Sequence, residues 1–140
     1  MAENQTVRLG LVSSVNYKTG MIKVTYPEYD NSVTDSFPCF AFGDEYKMPG
    51  IGEEVLVLHL SNGSEAGVVM GKYWNVDNRP PAAGKSLFHK ELGAAFGEAY
   101  MECLDGRILF HDQDVDITLS DIVKRLEKLE GKQDEDKSGG

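Results

Sequence analysis

Apolar and polar residues alternate in short runs over the first half of the chain, and glycine, proline and asparagine separate the runs. Period-two alternation of this kind puts every second side chain on one face of an extended strand. Residues 7–16 alternate loosely, and Tyr17-Lys18-Thr19-Gly20 reads as a turn with Gly20 suited to a positive φ. Met21-Ile22-Lys23-Val24-Thr25-Tyr26 then returns, so the two runs predict a hairpin. Residues 34–40 predict a third extended segment, which Pro38 confines to an edge or a bulge. Met48-Pro49-Gly50-Ile51-Gly52 leads tightly into a strongly apolar strand over residues 54–60. Ser61-Asn62-Gly63-Ser64 carries an Asn-Gly hairpin signal, and residues 66–70 return from it.

Five short strands without a convincing helix favour a small closed barrel, because closure removes exposed sheet edges. The expected architecture is a five-stranded OB-type barrel over residues 1–74, with residues 41–47 replacing the helix such barrels often carry. Residues 75–98 read as a linker, since Pro80 and Pro81 remove backbone donors and fix φ. Residues 99–119 predict a short β-stalk, with Asp105-Gly106 as a hairpin turn and alternation at Val115-Asp116-Ile117-Thr118-Leu119. The apolar residues of this stalk cover one narrow face with nothing in their own chain large enough to pack on.

The pattern then changes period. Leu119, Ile122, Leu126 and Leu129 recur at spacings of three, four and three, which is the seam of a coiled coil. Thr118 and Asp121 stand at capping-box spacing, although Ser120 could cap instead. A helix over residues 120–130, ended by Gly131, is the expectation, followed by a disordered polar tail at 131–140. So short a helix is marginal alone in water. Its seam either packs back on its own barrel or meets sister copies on an axis, and the uncovered stalk favours the second. Spacing alone does not choose trimer over dimer.

Composition narrows the chemistry. The 140 residues carry a net charge of −9, which disfavours a nucleic-acid partner. Cys39 and Cys103 lie far apart, outside any metal-ligand or redox spacing, and read as reduced thiols. No P-loop, dinucleotide fingerprint, nucleophile elbow or zinc-protease motif occurs. Asp112, Asp114 and Asp116 echo a calcium loop but lack its glycine and its closing glutamate, since Ile117 and Val123 stand there. Glu53 and Glu54 are neighbours in a strand, so they point to opposite faces and cannot form an acid–base pair. The expectation is a protein without catalytic residues, metal or cofactor. Met1-Ala2-Glu3-Asn4-Gln5 lacks the basic and apolar parts of a secretory signal, and no run is long enough to span a membrane.

Several segments, taken in order, resemble a known family. Arg8-Leu9-Gly10-Leu11-Val12-Ser13-Ser14-Val15 and Gly20-Met21-Ile22-Lys23-Val24-Thr25-Tyr26-Pro27 are similar to the start of the phage baseplate assembly protein V family, whose relatives include VgrG-type spikes. Met48-Pro49-Gly50-Ile51-Gly52-Glu53-Glu54-Val55-Leu56-Val57 resembles its P-x-I-G-E-x-V segment, and Gly67-Val68-Val69-Met70-Gly71 its closing strand. The resemblance covers residues 7–74 well and the rest loosely. It gives Gly20, Gly50, Gly52, Gly67 and Gly71 the role of barrel turn and close-packing glycines.

The resemblance implies a homotrimer of OB domains around an axis, seated on a baseplate hub protein below the tail tube. It implies synthesis in the bacterial cytoplasm and assembly into a phage or phage-tail-like particle, where the spike nucleates the baseplate and helps puncture the target envelope. The intertwined stalk would be a very short β-prism, with Leu119, Ile122, Leu126 and Leu129 as the oligomerisation seam. One feature departs from the family. Many members end in a His-x-His tip that binds iron, whereas His59, His89 and His111 are neither two apart nor terminal. Two alternatives stay open for this end: a separate spike-tip protein as a further partner, or a spike that only plugs and nucleates. The alternative function is an OB-fold binding module for nucleic acid or carbohydrate, which would need a basic or aromatic-lined strand face.

Overall fold

The structure is a computed structural model, and it describes residues 6–60 and 66–138. The N-terminal stretch read for targeting, the Asn-Gly turn expected at 61–64 and the last two residues of the tail lie outside the described residues. The protein is mainly β, with two antiparallel sheets and one C-terminal helix. It divides into two units, Met1–Asn78 and Arg79–Gly140. No helix among the described residues is long and apolar enough to cross a membrane.

The first unit holds β1 (Val7–Asn16), β2 (Met21–Tyr26), β3 (Ser32–Val33), β4 (Phe37–Pro38), β5 (Glu54–His59) and β6 (Gly67–Gly71). The hairpin of β1 and β2 forms where the alternation places it. Asn16 Oδ1 accepts the amides of Lys18 and Thr19 at 3.1 Å each, and Gly20 closes the turn at φ +75°. The strand order is β3-β2-β1-β5-β6, with β4 also on β2. A register shift between Val12 and Ser14 puts a bulge into β1 opposite β2.

The alternating residues of these strands supply the core: Val12, Ile22, Val24, Tyr26, Phe37, Val55, Val57 and Val69 are all buried. Gly10 makes room for it. A Cβ there would lie 2.4 Å from Val24 Cγ1 and 2.8 Å from the Tyr26 ring. Sequence pattern alone does not mark this glycine, because its need arises from β2 packed across it.

Two expectations change here. The extended segment expected over residues 34–40 is strand only at β4, and a second short piece, β3, lies before it at Ser32–Val33. Asp30 and Asn31, at φ 55° and 56°, turn the chain before it, and Pro38 has no amide to extend the ladder. The sheet is therefore six-stranded with an open ladder, where the sequence predicts a closed five-stranded barrel. Between the segment after β4 and β6 there is one parallel bridge, Cys39 to Val69, with the Phe40 amide 2.8 Å from the Val69 carbonyl oxygen. A single 3-10 turn, Phe42–Asp44, stands where an interstrand helix could have been.

The start of the expected linker is also folded. Asn75 Oδ1 accepts the amides of Asp77 and Asn78, and Asn78 Nδ2 donates to the Tyr73 carbonyl, all at 2.8 Å. An asparagine side chain that mimics a backbone turn explains why residues 75–78 close locally.

The second unit holds β7 (Leu87–Glu91), β8 (Tyr100–Leu104), β9 (Arg107–His111), β10 (Asp116–Thr118) and α1 (Leu119–Ser138). The sheet order is β10-β9-β8-β7. Its outer strand β7 lies within the stretch that the sequence reading assigns to the linker. Asp105 and Gly106, at φ 51° and 80°, make the tight turn between β8 and β9. The helix runs through Gly131, contrary to the expected stop there and the disordered tail beyond. One exposed glycine costs a helix only about 1 kcal/mol relative to alanine, and helix-favouring Lys132, Gln133 and Glu135 follow it.

Candidate self-association surface

Directly opposed residues in an antiparallel sheet share a face, so the register of the second unit sorts its side chains. One face carries the rows Phe88–Cys103–Ile108 and Lys90–Met101–Phe110–Ile117. Apart from Lys90 it is apolar, and it is open to water: Phe88 is 62% exposed, Ile108 39% and Phe110 38%. The other face carries His89–Glu102–Leu109–Thr118 and Glu91–Tyr100–His111–Asp116. Among the described residues of this unit, no hydrophobic residue is buried. A sheet whose apolar face stays wet has gained little of the burial that stabilises sheets.

The helix continues the theme. Leu119, Leu126 and Leu129 are exposed, and Leu129 is 58% accessible, while Ile122 is half-buried. The sequence-predicted seam residues therefore share one stripe of α1 but differ in cover. Val123, outside the predicted seam, is exposed as well. Its signal was present, for it stands four after Leu119 and three before Leu126, an equally good helical neighbour of both. The helix start is fixed by reciprocal bonds. The Asp121 amide donates to Thr118 Oγ1 at 3.1 Å, and the Thr118 amide donates to Asp121 Oδ2 at 3.4 Å. Hydrogen bonds to the Thr118 hydroxyl and the Thr118 amide hold the Asp121 carboxyl below its ordinary pKa.

The glycines named from sequence lie apart from this surface, in the first unit. Gly20, Gly52 and Gly71 have positive φ. Gly50 does not: its amide donates to Glu53 Oε2 at 2.8 Å, closing the turn into β5. Gly67 is a close-approach position, where a Cβ would lie 2.7 Å from Phe37 Cε2.

Histidines and cysteines are dispersed. His59 shares a 2.6 Å hydrogen bond with the Tyr26 hydroxyl at the edge of the first core. Burial lifts the Tyr26 phenol to a pKa of about 12, against the pull of the Arg8 guanidinium stacked on its ring. Cys39 is half-buried, and burial raises its thiol pKa. Cys103 lies on the apolar face. Among the described residues no three His, Cys, Asp or Glu side chains form a group that could hold a metal ion. Asp112 Oδ1 instead accepts the amides of Asp114 and Val115, both at 2.8 Å, and folds its own loop.

Sequence pattern alone does not mark the polar cluster of the second sheet. His89 Nδ1 lies 2.9 Å from Glu102 Oε1, and its Nε2 meets Glu91. Tyr100 stacks on His111 with ring centroids 4.5 Å apart. Desolvation opposes a charge on His89, but the bonds to Glu91 and Glu102 outweigh it and raise the imidazole pKa.

The first unit thus brings together a core and its turn glycines, and the second unit an apolar face, an apolar helical stripe and an acid–imidazole cluster. Comparison with models of protein families finds none that matches the chain, and comparison with curated proteins finds no match.

Proposed function

We propose that the chain is a structural subunit that works as a homotrimer, the central spike below the tail tube of a phage or phage-tail-like contractile injection system. The observation that carries this reading is the uncovered apolar surface of the second unit. Phe88, Met101, Ile108 and Phe110 lie exposed on one face of a four-stranded sheet, and Leu119, Val123, Leu126 and Leu129 lie exposed on the helix that follows. Each such side chain gains about 1.5–3 kcal/mol on full burial, before entropy. Sister copies around a common axis cover the sheet face and the helical stripe with one operation.

An OB-type first domain fits the same reading. Such a domain is a partly open five-stranded Greek-key barrel. On this reading β3 and β4 are the two halves of its third strand, and the Cys39–Val69 bridge marks the seam where that strand meets β6. The stalk is then a short β-prism and α1 a coiled coil. The ordered resemblance to baseplate assembly protein V supplies the rest of the proposal: a hub protein as partner, a possible separate tip, and a role in nucleating the baseplate and opening the target envelope. The reading includes no catalysis and no cofactor.

Native mass spectrometry or light scattering on the pure chain tests the proposal. A mass of three subunits supports it. A monomer at micromolar concentration overturns it, because the exposed face would then have no partner.

A further inference from the structure

The geometry around His89 demands a proton. His89 Nδ1 faces a Glu102 oxygen at 2.9 Å, and Nε2 faces a Glu91 oxygen. Ionised carboxylates only accept hydrogen bonds, and a neutral imidazole donates only one. Both contacts are satisfied together when the ring is an imidazolium. The site is well covered: the side chains of His89 and Glu91 are 9% and 7% exposed, and Glu102 is 20% exposed.

A loop is tied to this site. Residues 92–99 connect β7 to β8, and the Gly97 amide donates to the other Glu91 oxygen, Oε1, at 2.5 Å. His111 Nε2 donates to the Gly97 carbonyl at 3.1 Å. Glu98 accepts the Ala94 and Ala95 amides and so folds the loop on itself. The charged and titratable groups facing His89 are Glu91 on its own strand and Glu102 and Tyr100 on β8. Beyond the Tyr100 ring stand His111 on β9 and Asp116 on β10. The carboxylates there outnumber the imidazoles.

We propose that residues 92–99 are a proton-controlled strap, fastened to the sheet through Glu91 while His89 is an imidazolium and loosened when His89 loses its proton. Glu102 is the more exposed carboxylate and turns to water on its own. Glu91 has no such exit, because its second oxygen holds the Gly97 amide. Loss of the imidazolium charge raises the cost of holding the covered Glu91 carboxylate against the ring, and its route to water breaks that bond. The raised pKa of His89 sets the direction. The fastening is complete below the ordinary imidazole value of 6.5 and is lost as pH rises through the higher folded value. The device needs only one chain and does not depend on the trimeric reading.

The test is amide hydrogen exchange on the full chain, with protection taken relative to the free-chain rate at each pH and to strand β8 as internal reference. Protection of residues 92–99 is expected to fall as pH rises from 6.5 through the folded His89 value, by roughly tenfold in total for each unit by which that value exceeds 6.5. An NMR titration of the His89 ring in the parent protein is expected to give a midpoint above 6.5 that coincides with this fall. His89→Gln is expected to remove the pH dependence, and Glu102→Gln to move the midpoint down. Constant relative protection across that range, or a His89 midpoint at or below 6.5, overturns the proposal.

Discussion

Gly67 stands edge-on to the ring of Phe37, so close that a Cβ on the glycine would lie 2.7 Å from Phe37 Cε2 and 2.8 Å from the Leu58 carbonyl oxygen. Phe37 is one of the largest side chains in the core of the first unit and is 1% exposed. Its ring reaches β6 because the residue opposite has no side chain. Gly67→Ala would force either the ring or the backbone of β5 to move. Overpacking of this kind costs about 1–3 kcal/mol. Urea unfolding of the variant is expected to show a lower midpoint with an unchanged slope, and an unchanged midpoint would mean that the neighbours yield freely.

Leu126 and Phe88 report on the proposed assembly from different elements. Leu126→Asp puts a carboxylate on the helical stripe, and Phe88→Glu puts one on the sheet face. If copies meet there, each variant gathers like charges in a buried place, at several kcal/mol per ion. Both are expected to shift the particle from trimer to monomer, as read by light scattering. Circular dichroism should show that the first unit's strands are retained. A Leu126→Asp protein that keeps the parent's mass and melting profile rules out the helical stripe as a contact.

What sequence made legible was local. The hairpin of β1 and β2 and the strand β5 appear where alternation and turn residues put them, since a turn such as Asn16 to Gly20 is specified within five residues. The capping bonds of Thr118 and Asp121 follow from spacing in the same way. The polar cluster depends instead on the register of β7 against β8. An eight-residue connection hides that register, whereas Asp105-Gly106 fixes the register of β8 against β9. Gly131 misled because its effect depends on conformation. It ends a helix when it turns left-handed, and here it does not appear among the residues of positive φ. The break in the third strand needed knowledge of where Pro38 falls against β2.

The first turn of α1 should be acid-sensitive. The Asp121 pKa is held down mainly by its side-chain bond with Thr118. Its contribution is therefore present above the ordinary value of 3.8 and is lost as pH falls through the lower folded value. Helical circular dichroism is expected to decline in that window, and Asp121→Asn to flatten the decline. Thr118→Ala removes the cap at any pH, at about 0.5–2 kcal/mol. An acid profile unchanged in Asp121→Asn would place the sensitivity elsewhere.

Tyr26 offers a probe at the other end of the pH scale. Burial raises its phenol pKa to about 12, and the nearby Arg8 guanidinium only partly offsets this. A raised tyrosine pKa means that the fold favours the neutral phenol. The stability this provides is complete below the ordinary value of 10.0 and is lost as pH rises through about 12. Near-ultraviolet titration is expected to show a phenolate near pH 12 that appears with the unfolding of the first unit. In Tyr26→Phe that late phase is expected to vanish. The same change removes the 2.6 Å hydrogen bond to His59, which should cost about 1 kcal/mol at neutral pH. Because His59 sits on β5 and Tyr26 on β2, with β1 between them, that loss tests whether the bond spans the sheet in solution. A variant as stable as the parent would mean that water already holds both groups.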